Sequence, residues 1–330
     1  MTIYAIGTEA FTWDFCSAID EASNGFDTIY SGRGPAMYVD AQATLLTGTP
    51  VSELWARFNL STAGLGSITS VPVVSLMNSS TDKDALRIIR IADTEFEVFY
   101  NSSGTTYTSV GTFYFSHLSS YGGSGYGNCL NLYFKRGGSG VVKVFVNDTV
   151  VFSYSGAMNT VDSTFDGLRF RGSDDVRAFN IGSVILSSNA QFNTRLATLR
   201  PSGIGNESGW SLNTFSNVDD AAFKTDFEDG NYTNSAGVAC THAMSDITAM
   251  TDRIYSLVVG YAHAALASGA TPTAMNFRVR QGSTNYTKGS FGVTVGEPPT
   301  RFREFYTTDM LGNAWTSTNI NGLHFGVITS

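Results

Sequence analysis

The chain has 330 residues and a formal net charge of −8, and only 15% of its residues are charged. That lies well below the usual share of about a quarter. Gly, Ser, Thr and Asn fill the gap, which excludes a protein built of long solvated helices. No Lys/Arg run offers a nucleic-acid footprint, and no apolar run approaches the roughly 18 residues of a membrane-spanning helix.

From the N-terminus, Met1–Phe15 has no basic region and carries Glu9 and Asp14, so it does not read as a signal peptide. Phe11, Trp13, Phe15 and Ile19 are expected to anchor the N-terminus on a core. Ser31–Pro35 is a turn cluster. The strands then begin. Leu54, Ala56, Phe58 and Leu60 alternate onto one face. Val71–Met77, Leu86–Ile91, Glu95–Tyr100, Tyr107–Phe115 and Cys129–Lys135 follow, with turns at the spacing of an all-β sandwich. Val141–Tyr154 holds two β-branched and aromatic runs around Asn147-Asp148, a pair suited to a type I′ hairpin turn. That turn predicts Val146 opposite Thr149, Phe145 opposite Val150 and Val144 opposite Val151. Val142, Val144, Val146 and Val151 then share one face, and Val141, Phe145, Val150, Phe152 and Tyr154 share the other. Leu168–Arg171 and Phe179–Leu186 complete the first set.

Residues 188–200 read as a linker closed by Pro201, which disfavours helix before it and cannot donate to a central ladder. Further strands are expected at Ile254–Ala264, Asn276–Gln281, Ser290–Val295, Arg301–Thr307 and Gly322–Ile328, with one helical turn at Asp246–Met250. The fold expected is all-β. It has two jelly-roll-like β-sandwich domains, 1–187 and 201–330, joined by a short linker.

The order of elements in 54–186 resembles the concanavalin A-like or laminin-G-like jelly rolls of tailed-bacteriophage particles. The resemblance is carried by LWARFNL (54–60), Leu86–Ile91 with Phe96–Tyr100, TYTSVG (106–111), LNLYFK (130–135), VFVNDTVV (144–151) and IGSVIL (181–186). Leu199–Gly203 with Trp210, then Val218-Asp219-Asp220, TDMLGNAWT (308–316) and INGLHFGV (320–327), is similar to the C-terminal module of phage virion proteins. Leu311 stands where that pattern carries a small polar residue. The resemblance implies a non-enzymatic virion surface protein, a tail fibre or capsid decoration made in the bacterial host cytoplasm. It would partner other virion proteins, form a homo-oligomer such as a trimer, and adhere to host surface glycans. In the terminal motif, Gly312 is expected in a turn closed to other residues. Trp315, Leu323 and Phe325 are expected in the second core.

The candidates for chemistry are few. Tyr121 and Tyr126, in the Gly-rich stretch YGGSGYGN, are the exposed aromatics that could stack on a sugar, with Asn128 bonding its hydroxyls. Asp93, Glu95 and Glu97 stand at i, i+2 and i+4. Jelly-roll glycosidases use closely spaced carboxylates in the order Glu-x-Asp-x-Glu, whereas here the order differs and Asp93 falls in a turn. A solvated outer face is therefore the expectation, and a polysaccharide-degrading enzyme or a stand-alone lectin is the alternative. Thr81-Asp82-Lys83-Asp84 is the one calcium candidate, weakened by the intervening Lys and the lack of a turning Gly. No other cofactor is expected. His117, His242, His263 and His324 lack zinc spacing. Cys16, Cys129 and Cys240 read as buried thiols of a reducing compartment.

Overall fold

The structure is a computed structural model. It describes residues 2–7, 13–17, 19–22, 33–37, 41–61, 72–92, 94–114, 128–159, 162–172, 179–192, 196, 198–211, 231–247, 257–264, 266, 272–295 and 300–330. The chain divides into two units, Met1–Leu196 and Ala197–Ser330. The break falls inside the stretch read as a linker.

The first unit is a two-layer sandwich. Its strands are β1 (Ile3–Gly7), β2 (Phe15–Cys16), β3 (Ile19–Ala22), β4 (Arg33–Met37), β5 (Gln42–Val51), β6 (Glu53–Ser61), β7 (Pro72–Asn78) and β8 (Lys83–Arg90). Then come β9 (Glu95–Asn101), β10 (Tyr107–Tyr114), β11 (Asn128–Lys135), β12 (Gly137–Val146), β13 (Thr149–Met158), β14 (Phe165–Arg171) and β15 (Phe179–Ser187). One sheet runs β13-β12-β11-β6-β15-β4-β3, with β1 also on β15, and the facing seven-stranded sheet runs β10-β9-β8-β7-β14-β5-β2. The late strands β14 and β15 each insert beside early ones, β14 between β7 and β5 and β15 between β6 and β4. That winding is a jelly roll.

Alternation builds the core. Leu54, Ala56, Phe58 and Leu60 of β6 are all buried, and so are Leu168 and Phe170 of β14. Phe170 meets Phe58 edge-on at 5.1 Å and Trp13 edge-on at 5.7 Å. Trp13 is the N-terminal anchor, whereas Phe15 is 51% exposed and anchors nothing. Phe11 lies outside the described residues.

The hairpin forms at the expected turn: Asn147 has φ 48° and Asp148 φ 66°, the left-handed values that type I′ requires. Val146 pairs with Thr149 and Phe145 with Val150, as read, but Val144 pairs with Phe152 because a bulge intervenes. The extra residue flips the rest of β13. Phe152 and Tyr154 therefore come to the face of Val144 and Val142 and pack on the core. Phe152 approaches Phe113 of β10, with ring centroids 6.1 Å apart.

The second unit comprises β16 (Pro201–Ser208), β17 (Ala239–Met244), β18 (Val258–Ala264), β19 (Ala274–Gln281), β20 (Thr284–Gly292), β21 (Thr300–Tyr306), α1 (Ser317–Asn321) and β22 (His324–Thr329). Five strands pair as β16-β17-β22-β19-β20 and two as β18-β21. Pro201 opens its strand, a position that asks no hydrogen bond of its nitrogen. The strand at Ala239–Met244 was not anticipated, and the one expected at Ser290–Val295 ends earlier as β20. Of the helical turn expected at Asp246–Met250, the described part, 246–247, is not helical, and 248–250 lie outside the described residues. β18 lies over β22 so closely that a Cβ on Gly260 would stand 2.2 Å from the Phe325 ring.

The terminal motif is organised by Asp309. Its buried carboxylate accepts from the backbone N–H of Leu311 at 3.0 Å and Asn313 at 2.7 Å, and from the side chains of Gln281 at 2.9 Å and Asn319 at 3.0 Å. Gly312 takes φ +88° in that turn. Trp315 is buried and donates its Nε1–H to the Tyr306 carbonyl at 2.8 Å. Residues 317–321 form α1, and the terminal strand, expected from Gly322, begins at His324. Thr316 caps the helix in a box with Asn319, which takes the place usually held by Glu or Gln. Ile320 and Leu323 are buried, whereas Phe325 is only half-buried against the same cluster, so the core position expected of it is corrected.

Candidate functional site

The outer face of the seven-stranded sheet collects the side chains that its strands do not bury in the core. On β14, Leu168 and Phe170 point inward, so Arg169 and Arg171 point outward by the two-residue period. Ser75 of β7 stands directly opposite Arg169, and Arg87 of β8 stands directly opposite Ser75. Thr44 and Gln42 of β5 pair with Arg169 and Arg171 from the other side. On β9, Phe96 and Val98 are core residues, which leaves Glu95, Glu97, Phe99 and Asn101 on the outer face. Their partners on β10 are Tyr114, Thr112, Ser109 and Tyr107.

At the centre lies Asp84, 1% exposed. Its Oδ2 accepts from Arg87 Nε at 2.7 Å and Arg171 Nη1 at 3.2 Å, and its Oδ1 is 3.9 Å from Arg169 Nη1. Arg169 Nη2 donates to Asp82, an exposed residue of the β7–β8 turn. That hydrogen bond, with the Arg169 charge, holds the Asp82 carboxyl below its usual range. The Arg87 guanidinium lies 3.6 Å over the Tyr107 ring, in cation–π contact. Burial pushes the Tyr107 hydroxyl above its ordinary value, against the pull of Arg87. Three buried polar atoms of this group have no hydrogen-bond partner: Ser75 Oγ, Asp84 Oδ1 and Arg169 Nε.

These contacts weigh against the calcium candidate at Thr81–Asp84. Asp82 and Asp84 give their carboxylates to arginines, and a cation there would meet three guanidinium groups. No cluster of metal-binding side chains occurs among the described residues.

Toward the sheet edge, Tyr114 is 62% exposed and donates its hydroxyl to Glu95 at 2.6 Å. That hydrogen bond raises the pKa of the Tyr114 hydroxyl. Ser109 donates likewise to Glu97 at 2.5 Å. The two glutamates thus share the outer face of β9, while Asp93 lies outside the described residues. Tyr121, Tyr126 and His117 also lie outside them. Asn128 opens β11, with Leu60 as its ladder partner, and its side chain is outside the description.

Two other groupings carry less. On the opposite sheet, Trp55 lies tilted by 30° against Tyr133 with ring centroids 4.7 Å apart, and it meets Phe192 edge-on at 6.0 Å. Tyr133 donates to Glu53 at 2.8 Å, and burial followed by that bond pushes its hydroxyl up to about 12. In the second unit, Cys240 Sγ lies 3.5 Å from His242 Nε2, and Asn231 lies beside both. Burial pushes the thiol up to about 11 and the imidazole down. A neutral pair of that kind is no thiolate nucleophile. Among the described residues no cysteine is in a disulfide.

The sequence reading passed over Ser75, Arg87, Tyr107, Tyr114, Arg169 and Arg171. Arg169-Phe170-Arg171 did carry a signal: two charges at period two around an apolar residue, in a chain poor in charge.

No family model matches this sequence, and no curated protein matches it. Among solved structures, an endo-β-1,4-glucuronan lyase from the fungus Trichoderma reesei aligns at TM-score 0.42 and 10% identity, over 57% of this chain and 96% of that one. The T. cruzi calreticulin globular domain aligns at 0.40 and 10%, over 57% and 89%. The Emp47p carbohydrate recognition domain aligns at 0.35 and 10%, over 56% and 95%. At such scores the likeness says nothing of what this chain binds.

Proposed function

We propose that this chain is a non-enzymatic surface protein of a tailed-phage particle, and that its first unit adheres to glycans through the outer face of the seven-stranded sheet. The particle, with its virion partners, trimeric assembly and virion-surface location, is proposed on the sequence resemblance alone. The adhesion is proposed on one observation, the exposed Tyr114 ring with its hydroxyl fixed by Glu95 beside a row of hydrogen-bonding side chains. A sugar needs an apolar face to lie on and fixed polar groups to take its hydroxyls, and this face offers both. Tyr121 and Tyr126, with Asn128, are proposed as further glycan contacts on the sequence alone.

The test is a glycan array with wild type and Tyr114→Ala. The reading expects hits for wild type that weaken in the variant, with an unchanged melting temperature. An array blank for wild type overturns it. A second reading is supported by the placement of Glu95 and Glu97 on that same face: a polysaccharide-degrading enzyme. If the purified protein depolymerises a polysaccharide and Glu95→Gln with Glu97→Gln abolishes this, the enzyme reading replaces adhesion.

A further inference from the structure

We propose that Arg87, Arg169 and Arg171 form a subsite for the anionic group of an acidic glycan, a carboxylate or a sulfate ester. The Asp82 carboxylate stands where the ligand's would. This rests on the adhesion reading and names its ligand class.

The charges do not close within the group. Three guanidinium groups face two carboxylates, Asp82 and Asp84, so one positive charge is in excess. Glu95 and Glu97 share the face but hold Tyr114 and Ser109 on β10 instead. Arg169 is only 5% exposed, and a buried cation needs an anionic partner. Its hydrogen-bonded partner is Asp82, which is 78% exposed and sits in the left-handed region at φ 54°. Asp84 is fixed by three arginines, whereas Asp82 is held by one and has solvent on its other side. Asp82 is therefore the carboxylate that an incoming anion replaces.

The unpartnered atoms give the ligand its shape. Ser75 lies in register between Arg169 and Arg87. Its hydroxyl and Arg169 Nε are two unused donors, and Asp84 Oδ1 is one unused acceptor. Two donors and spare guanidinium N–H groups suit an oxyanion. The single acceptor beside them suits a neighbouring hydroxyl. An acidic sugar carries both on one ring; a neutral sugar lacks the first and a free sulfate ion lacks the second.

The experiment is calorimetric titration of the full chain with a polyuronate hexasaccharide, a sulfated hexasaccharide and a neutral glucohexasaccharide at equal ionic strength. The proposal expects at least one acidic probe to bind at least tenfold tighter than the neutral one, and the probe that binds identifies the anion. Arg171→Gln, at a side chain 26% exposed, should weaken that binding tenfold or more. Asp82→Asn should tighten it several-fold, since it removes the competitor and keeps the turn. If only the neutral probe binds, or Asp82→Asn leaves acidic binding unchanged or weaker, the subsite is overturned and adhesion stands. If no hexasaccharide binds but glucuronate alone raises the melting temperature of wild type and not of Arg171→Gln, the anion site stands and adhesion falls. If nothing binds and nothing shifts, both fall, and the unpartnered atoms are merely hydrated.

Discussion

Phe170→Ala tests whether one strand holds both the first core and the arginine face. Phe170 is fully buried and touches Phe58 and Trp13 edge-on. Truncating a buried Phe costs about 3–5 kcal/mol, and each edge-on ring pair accounts for roughly 0.5–1.5 of that. With two such pairs, the upper half of the range is expected, a large part of a domain's typical 5–15 kcal/mol. Hydrogen exchange read by mass spectrometry resolves the two units in one experiment. At about 1.4 kcal/mol per decade, the slowest amides of β14, β5 and β7 should exchange roughly a thousandfold faster. Peptides from β17, β19 and β22 should be unchanged. A rise of less than about tenfold in the first unit, or an equal rise in the second, would refute the packing argument and the division into units.

Asp309→Asn should make unfolding of the second unit less sensitive to acid. The bonds to Asp309, with Gln281 first, hold its carboxyl below the ordinary value of 3.8. Its contribution is therefore complete above that value and is lost as the pH falls through the depressed folded value. An acid titration followed by circular dichroism, identical for the variant and wild type, would contradict this. Asp148→Val should loosen β12–β13, because a β-branched residue is strained at φ 66°, by roughly 1–2 kcal/mol. Faster exchange confined to those strands is the expected readout, and no change there would contradict it.

The hairpin turn was readable because Asn147-Asp148 states its own backbone geometry. The bulge behind it was not, since nothing in Val150–Phe152 marks the extra residue, and one residue is enough to turn Phe152 and Tyr154 to the core face. The alternation of β6 was plain in Leu54–Leu60. α1 was missed although Thr316 and Asn319 stand at capping-box spacing, because Ile320, Leu323 and Phe325 invited reading as one strand. The arginine face was hidden for a different reason. Arg87 and Arg169 are far apart in sequence and meet only because β14 inserts beside β7, a consequence of winding that no local pattern carries. For the same reason Asp82 and Asp84, taken alone, suggested a cation, when the partners that topology brings are themselves cations.

The central claim is that glycan contacts the outer face of the seven-stranded sheet of the first unit. The most direct measurement is a hydroxyl-radical footprint of the full chain, with and without the tightest-binding oligosaccharide. The account predicts protection at Tyr114, Tyr107 and Phe99, with Trp55 and Tyr133 of the opposite sheet, Phe192 beside them and Trp210 of the second unit unchanged. Protection at those four residues, with Tyr107 and Tyr114 labelled as before, would contradict it.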